Sequence, residues 1–424
     1  TIFLLNALLL WSAAIPMYKL ARRFGRSAVA SLAVSVMLLW YPNFQYTALY
    51  EFDMLRFSIP LLLWMLYYYE KHDVAAYCIF AALAVLTREE VGLTVATFGI
   101  YAAFFDRRWR WGLPTAFAGA ATSLVIIFKL MPLFSSASSY QHIASGSFAA
   151  FGGSPAGMLS VLYSDPIALL RTVFGFEKLA NLFMLLLPLS FFPLAAPTAL
   201  VPALANLGMG MASSSRTHLS YFLYYVSPSV PFIFYAFLKG LSVVSVAVSR
   251  HSSRGGDDAR ICEAAVLAAA FGCLLASNIW FGPSPISLQF WSKGLRPAPF
   301  STGDFHRSVY QVNDQQRAVE RFVNAIPDDA VVSVQDYFQA YLFKKRAVMR
   351  FPMLESSDGS VQAEYVLLDV THNNLSRHST VVNRVMRSMP LVMENPDKWV
   401  LLLSDGSYFL YRRALGKSLR VNPL

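Results

Sequence analysis

The sequence predicts a mainly helical, polytopic membrane protein with a small C-terminal α/β domain. Three observations predict it. The 424 residues are 56% hydrophobic and only 14% charged, against about 25% charged in soluble domains. Charges are sparse before Phe281 and dense after it. Before that point the basic residues cluster in short loops between apolar runs: Arg22, Arg23 and Arg26; Arg107, Arg108 and Arg110; Arg250, Arg254 and Arg260. This is the bias of cytoplasmic loops, and it accounts for the net charge of +10 in terms of topology. No basic helix or aromatic–basic sheet motif accompanies it, so nucleic acid is excluded as a partner. Membrane lipids are the expected surroundings.

A spanning helix needs about 20 apolar residues, fewer when it is surrounded by protein. Ten segments qualify: 2–20, 28–45, 54–70, 74–88, 91–105, 112–133, 178–193, 197–212, 222–246 and 261–281. Placing the loop 21–27 in the cytoplasm puts 106–111 and 247–260 there too. The same count puts 46–56, 88–90, 134–177, 213–221 and the chain beyond 282 outside. The expected domains are a transmembrane helical domain, 1–281, which includes the outer loop 134–177, and an extracytoplasmic α/β domain, 282–424. The expected location is the plasma membrane. The stretch 179–212 reads either as two crossings or as one re-entrant pair, because Pro188, Pro197 and Pro202 break it. The opening "TIFLLNALLLWSAAIPMYKL" lacks the basic n-region and cleavage pattern of a signal peptide. It reads as a membrane helix, with a further helix and outer loop expected before Thr1.

The second half of the outer loop, "MLSVLYSDPIALLRTVFGFEKL", is amphipathic and predicts helices in the interface plane. In the tail, "DQQRAVERFVNAI" predicts a helix, "PDDAVVSVQDY" a turn and strand, and "AEYVLLDV" a buried strand ending at Asp369. "STVVNRVMRSM" predicts another helix, and "KWVLLLSDGSYFLYRR" a hairpin around Asp405-Gly406. Cys78, Cys262 and Cys273 lie in apolar runs with no metal-ligand spacing and read as core residues.

Ionisable groups at a membrane are costly and mark candidate sites. The crossing count places three groups on one side: Glu51, Asp53 and Arg56 before the third segment; Arg88, Glu89 and Glu90 in "LTREEVGL"; and Arg216, His218 and Tyr221 in "SSSRTHLSYFLYY". Arginines suit a phosphate because guanidinium donates bidentate hydrogen bonds. Glu51 or Asp53 could act as a general base or hold a divalent cation. The plain structural alternative is that each charge marks where a helix leaves the bilayer, and that Arg88 pairs with Glu89 or Glu90. Lys129 reads as a snorkelling residue before a phosphate ligand. The "GG" pairs at 152–153 and 255–256 lack the lysine and strand–helix context of a nucleotide loop. An activated donor would therefore have to reside in the membrane.

These residues also carry a resemblance. "LLWYPNFQYTALYEFDMLRFSIPLLL", "LAVLTREEVGLTVATFGIYAAFFDRRWRWG", "EKLANLFMLLLPLSFFPLAAPTALVPALANLG" and "HLSYFLYYVSPSVPFIF" resemble the prokaryotic membrane-protein family called domain of unknown function 2079. The resemblance implies likeness to C-type glycosyltransferases: many helices, a polyprenyl-phosphate sugar donor and an essential acidic residue in a first outer loop. That loop would precede Thr1. The family's usual Phe-His pair stands here as Phe52-Asp53, and its charged hinge as Arg88-Glu89-Glu90.

Three readings follow. One is a lipid-phosphosugar-dependent glycosyltransferase acting at the outer face, with Glu51 and Asp53 as catalytic carboxylates. Arg56, Arg88, Glu89, Glu90, Arg216, His218 and Tyr221 would line its substrate cleft. The others are a non-catalytic scaffold whose outer domain binds a partner, and a lipid or solute transporter.

Overall fold

The computed structural model describes residues 2–50, 52–134, 148, 160, 163–251, 256–295, 305–312, 314–356, 359–370 and 385–414. The chain divides into two compact units, Thr1–Arg307 and Ser308–Leu424. The stretch after Phe281 goes with the first unit for a packing reason. The Gln289 amide donates to the Tyr46 hydroxyl and the Gly282 carbonyl, and the Phe305 ring meets Tyr46 edge-on at 4.8 Å.

The first unit is helical. Its helices are α1 (Ile2–Trp11), α2 (Ala14–Arg23), α3 (Ala28–Trp40), α4 (Pro42–Leu49), α5 (Ser58–Lys71), α6 (Val74–Val85), α7 (Val91–Phe104) and α8 (Trp109–Val125). They continue with α9 (Pro166–Val173), α10 (Phe176–Leu186), α11 (Leu204–Ala212), α12 (Val230–His251) and α13 (Gly256–Phe281). Five helical stretches are long and apolar enough to cross a membrane: Leu4–Arg23, Trp109–Leu133, Leu170–Leu189, Tyr224–His251 and Asp258–Phe281. The bent pair α3–α4, with 50° between its halves, makes a sixth. The ten expected segments are therefore not ten long helices. The third, fourth and fifth fold as helices of 14, 12 and 14 residues. The expected interfacial helix after Pro166 instead runs into the stretch Leu170–Leu189.

The region 187–203 is neither one span nor a simple pair. It is a succession of short 3-10 turns, Leu187–Leu189, Phe192–Ala195 and Pro197–Ala203. Each turn holds a proline near its start, which has no N–H to give and cannot continue an α-helix. Ser190 and Phe191 take left-handed backbone angles between them.

Helices α7 and α8 pack antiparallel at near backbone contact. A Cβ on Gly99 would fall 2.3 Å from the Ala116 nitrogen, and one on Gly112 would fall 2.4 Å from the Ala103 nitrogen. Farther along, Gly92 faces Ser123, and Gly119 faces Ala96. Small residues recur on each helix at the heptad spacing that keeps one seam facing its partner. The Ser123 hydroxyl closes the seam by donating to the Glu89 carbonyl at 2.5 Å.

At the other end of these helices lies a charge network. Lys239 Nζ of α12 sits 2.9 and 3.2 Å from the two Asp106 carboxylate oxygens and 4.0 Å from Glu70 Oε1. Arg108 reaches Glu70 Oε2 at 3.6 Å, and Arg23 donates to the Glu70 carbonyl at 3.0 Å. Tyr235 donates to Glu70 at 2.5 Å, while Tyr101 and Tyr69 donate to Asp106 at 2.8 and 3.1 Å. Nearby, Arg26 pairs with Glu263 at 2.6 Å. The loops 21–27 and 106–111 therefore lie at one end of the unit.

The second unit carries α14 (Asp314–Asn324) and five strands: β1 (Val331–Val334), β2 (Ala347–Arg350), β3 (Tyr365–Asp369), β4 (Trp399–Ser404) and β5 (Tyr408–Arg413). The sheet order is β2-β1-β3-β5-β4. β1 is parallel to both neighbours, while β5 is antiparallel to both of its own. Alternate side chains build two cores, Val332, Val334, Leu367 and Leu410 on one face and Val366, Leu368, Trp399 and Tyr411 on the other. The hairpin turns as expected: Gly406 takes φ +85°, and the Asp405 carboxylate accepts from the Ser407 and Tyr408 amides. The expected helix 379–389 lies mostly outside the described residues.

Two outcomes are expected. Gly99→Leu should drive its side chain into the α8 backbone and abolish monodisperse protein on size-exclusion chromatography. Gly272→Leu, with open space around it, should be tolerated. Lys239→Met should cost about 3 kcal/mol, the scale of stranding a buried carboxylate, and lower the thermal midpoint. Adding Asp106→Asn should recover most of that loss.

Candidate functional site

The short turn Met54–Phe57 leads into α5, and the Asp53 carboxylate caps it by accepting from the Leu55 amide at 2.8 Å. The hinge Arg88-Glu89-Glu90 separates α6 from α7, where the Ser123 bond to the Glu89 carbonyl pins it. The third approach comes from the loop 213–223 and the 3-10 turn Tyr224–Ser229 that opens α12.

These elements meet at Arg88. Its guanidinium carbon lies 5.4 Å from the Tyr225 ring centre, and its Nε lies 3.9 Å from a Glu89 carboxylate oxygen. Asp53, Glu89, Glu90 and Tyr224 all act on its charge, and Arg88 in turn acts on His218. The Tyr224 hydroxyl lies on the Asp53 side of the hinge, and its ring stacks on Tyr225 at 4.5 Å and tilts against Tyr50 at 4.9 Å. The His218 ring lies 5.1 Å from Tyr225. Arg88 Nη1 is buried and makes no hydrogen bond among the described residues.

The electrostatics are unequal along the hinge. Burial pushes the Glu90 carboxyl up to about 7, and the neighbouring charges of Glu89 and Asp53 add to the push against Arg88. Burial and the Arg88 charge hold His218 below its ordinary value, so its ring is neutral at pH 7. His218 Nδ1 lies 2.8 Å from the Ser213 hydroxyl. Ser213 is itself held by Lys178, whose ammonium donates to the carbonyls of Thr172 at 2.6 Å, Ser213 at 2.9 Å and Met211. Lys178 thus fixes the loop that presents His218.

The expected site residues divide into two sets. Asp53, Arg88, Glu89, Glu90 and His218 come together. Arg216 turns away and pairs with Glu177 at 3.2 Å at the surface. Tyr221 is fully buried among Tyr41, Tyr46, Phe222 and Phe281. Its backbone is held by the side chains of Asn43 and Asn181. Arg56 is also fully buried and donates to the Tyr50 carbonyl at 3.1 Å. Glu51 lies outside the described residues. No group of three or more His, Cys, Asp or Glu could hold a metal ion among the described residues. The Arg88 guanidinium lies 3.9 Å from the Glu89 carboxylate and feels the charges of Glu90 and Asp53.

A family model described as a predicted membrane protein, DUF2079, matches residues 1–390. The chain belongs to the DUF2079 family. No curated protein and no solved structure matches it. For this DUF2079 chain the residues around Arg88 that sequence reasoning passed over are Tyr50, Tyr224, Tyr225, Lys178 and Ser213. "YFLYY" carried a signal, but such aromatic runs equally mark a membrane interface. Lys178 carried one too, as a lysine beside Glu177 at the head of an otherwise largely apolar helix.

The Glu90 shift fixes a pH dependence. The folded carboxyl is raised and the unfolded one is ordinary, so the fold favours the protonated form. That contribution is complete below about 4.5 and is lost as pH rises through about 7. Glu90→Gln should therefore raise the thermal midpoint relative to the native chain at pH 8 and leave it nearly unchanged at pH 4.

Proposed function

We propose that this DUF2079 protein is a membrane glycosyltransferase that takes its sugar from a lipid-linked phosphate donor. The observation that carries the reading is the pairing at the hinge. A guanidinium with a buried donor nitrogen that makes no hydrogen bond among the described residues stands beside a carboxyl raised to about 7. The first suits a phosphate. The second suits a general base working near neutral pH.

In that reaction Arg88 holds the donor phosphate and stabilises the charge it gains as the sugar–oxygen bond breaks. The acceptor hydroxyl forms the new bond to the sugar and gives its proton to the Glu90 carboxylate. The leaving phosphate keeps the electron pair of the broken bond. Asp53 is less suited to the base role first expected of it, because its carboxylate already caps a turn by accepting from the Leu55 amide. Tyr224 and Tyr225 supply flat, half-polar faces against which a sugar ring can lie. His218, neutral and oriented through Ser213, offers one further hydrogen bond. No step requires a cation.

One observation favours a second reading. The broken segment 187–203 resembles the interrupted helices of carriers, whose binding sites form where helices unwind. A carrier would move labelled substrate across the bilayer without making a new bond.

The two separate in proteoliposomes that hold the full chain and radiolabelled polyprenyl-phosphate sugars. Transfer to an acceptor is expected, rising with pH through about 7. Arg88→Lys should lower it about 10- to 100-fold, and Glu90→Gln should remove most of it. Transfer that is unaffected by either change overturns the assignment of these residues. Silence with every donor, beside a working enzyme of this type, overturns the reaction.

A further inference from the structure

The helix lengths place the hinge relative to the bilayer. α7 rises 14 residues from the hinge to the end that carries Asp106, about 21 Å at 1.5 Å per residue. The stretch Leu4–Arg23 starts from the same Asp106 end, because Arg23 bonds to the Glu70 carbonyl, and it rises 20 residues, about 30 Å. The stretch Trp109–Leu133 also starts at that end, beside Arg108, and rises 25 residues, about 37 Å. Ser123, which bonds to the hinge, stands only partway along it. The residues from Leu124 to Leu133 therefore extend about 15 Å past the hinge. They are apolar and outward-facing at Leu124, Val125, Phe128, Leu130 and Leu133.

A hydrocarbon slab is about 30 Å thick. If the whole excess of the longer stretch, about 7 Å, protruded at the hinge end, the hinge would still lie about 8 Å inside the slab. The shorter stretch gives about 9 Å. The chain neighbours of the charged residues agree. Phe52 and Met54, on either side of Asp53, are 45% and 49% exposed, and Leu86, two residues before Arg88, is 73% exposed. Polar groups flanked along the chain by outward apolar side chains face lipid better than water.

We infer that the Arg88–Glu90 pocket is sunk within the hydrocarbon layer and opens sideways into it, past Phe52, Met54 and Leu86. The anion it takes is then a phosphate carried on a lipid chain, not one dissolved in water. This ligand class rests on the anion-binding reading of Arg88. The depth of the pocket does not.

The test uses the full chain with its three cysteines replaced and a bimane label placed at Leu86→Cys, Leu133→Cys or His72→Cys in lipid bilayers. Mid-chain doxyl lipids should quench the Leu86 label more strongly than the Leu133 label, and iodide in the water should quench it least of the three. Iodide quenching at Leu86 equal to that at His72 overturns the sunken pocket. In a second arm, polyprenyl phosphate in the bilayer should raise the thermal midpoint at a concentration at least tenfold below that needed for inorganic phosphate. Arg88→Gln should remove the effect. An equal response to inorganic phosphate overturns the lipid-borne ligand. Failure of sugar transfer alone overturns the reaction and leaves both of these results standing.

Discussion

The charge network around Lys239 is the constraint on which the membrane unit rests. Two cations, Lys239 and Arg108, meet two anions, Glu70 and Asp106, and three tyrosine hydroxyls fill the remaining acceptor sites. All are largely sheltered: Lys239 is 22% exposed, Asp106 15% and Glu70 13%. In a low-dielectric setting such groups persist only when charge and hydrogen bonding balance. The balance is local here, and it ties together α5, the α7–α8 loop and α12. It also fixes where each helix starts its course toward the other end. From Glu70 back to Ser58, from Asp106 back to Glu90 and from Lys239 back to Tyr225 the chain covers nearly equal numbers of helical residues. That near-equality lets the leading ends of α5, α7 and α12 gather around Arg88, although they are far apart in sequence.

The glycine seam adds the second coordinate. α7 is too short to cross a bilayer alone, and its height is set by the partner it grips. The register that pairs Gly99 with Ala116 also puts Gly92 under Ser123. The Ser123 hydroxyl then donates to the carbonyl of Glu89, which lies just ahead of the first turn of α7. The hinge carboxylates are thus held by backbone contacts made a full helix away. The Lys178 ammonium plays the same part for the loop of His218, with three carbonyls converging on one charge.

Much of this was legible in the sequence, and the reasons divide by range. Hydropathy and loop charge revealed a polytopic chain and drew attention to "TREE", "EFD" and "RTHLSY" as polar interruptions. Those signals are local. Glu70, Asp106 and Lys239 drew no attention. Glu70 closes one apolar segment, Asp106 opens a basic loop and Lys239 lies inside an expected span, and the pairing of Lys239 with Asp106 across 133 positions leaves no local pattern. Arg56 and Tyr221 show the complementary error. Their types suit a headgroup, but both are turned inward, where the same donors hold the fold. In the second unit short apolar runs and the Asp405-Gly406 turn announced β1, β3, β4 and β5. It was silent on β2, whose residues Ala347–Arg350 are half-buried at best and follow three basic side chains on the sheet edge.

The short helices turn an apparent defect into a coherent arrangement. A span of 12 or 14 residues should be a poor way to cross a bilayer, because it draws charged ends toward hydrocarbon. Here those ends carry their own compensation. Asp53, Glu89 and Glu90 surround one arginine, so a fully ionised hinge would have excess negative charge. Raising Glu90 to about 7 relieves part of that excess by letting the carboxyl keep its proton. Among the described residues, one Arg88 donor nitrogen has no partner. A buried donor without a partner is costly in a finished fold, and it is costlier still near lipid. An incoming anion would satisfy that donor and, by adding negative charge, would push the Glu90 proton affinity higher. The state of the guanidinium and the state of the carboxyl are therefore coupled through the same charge.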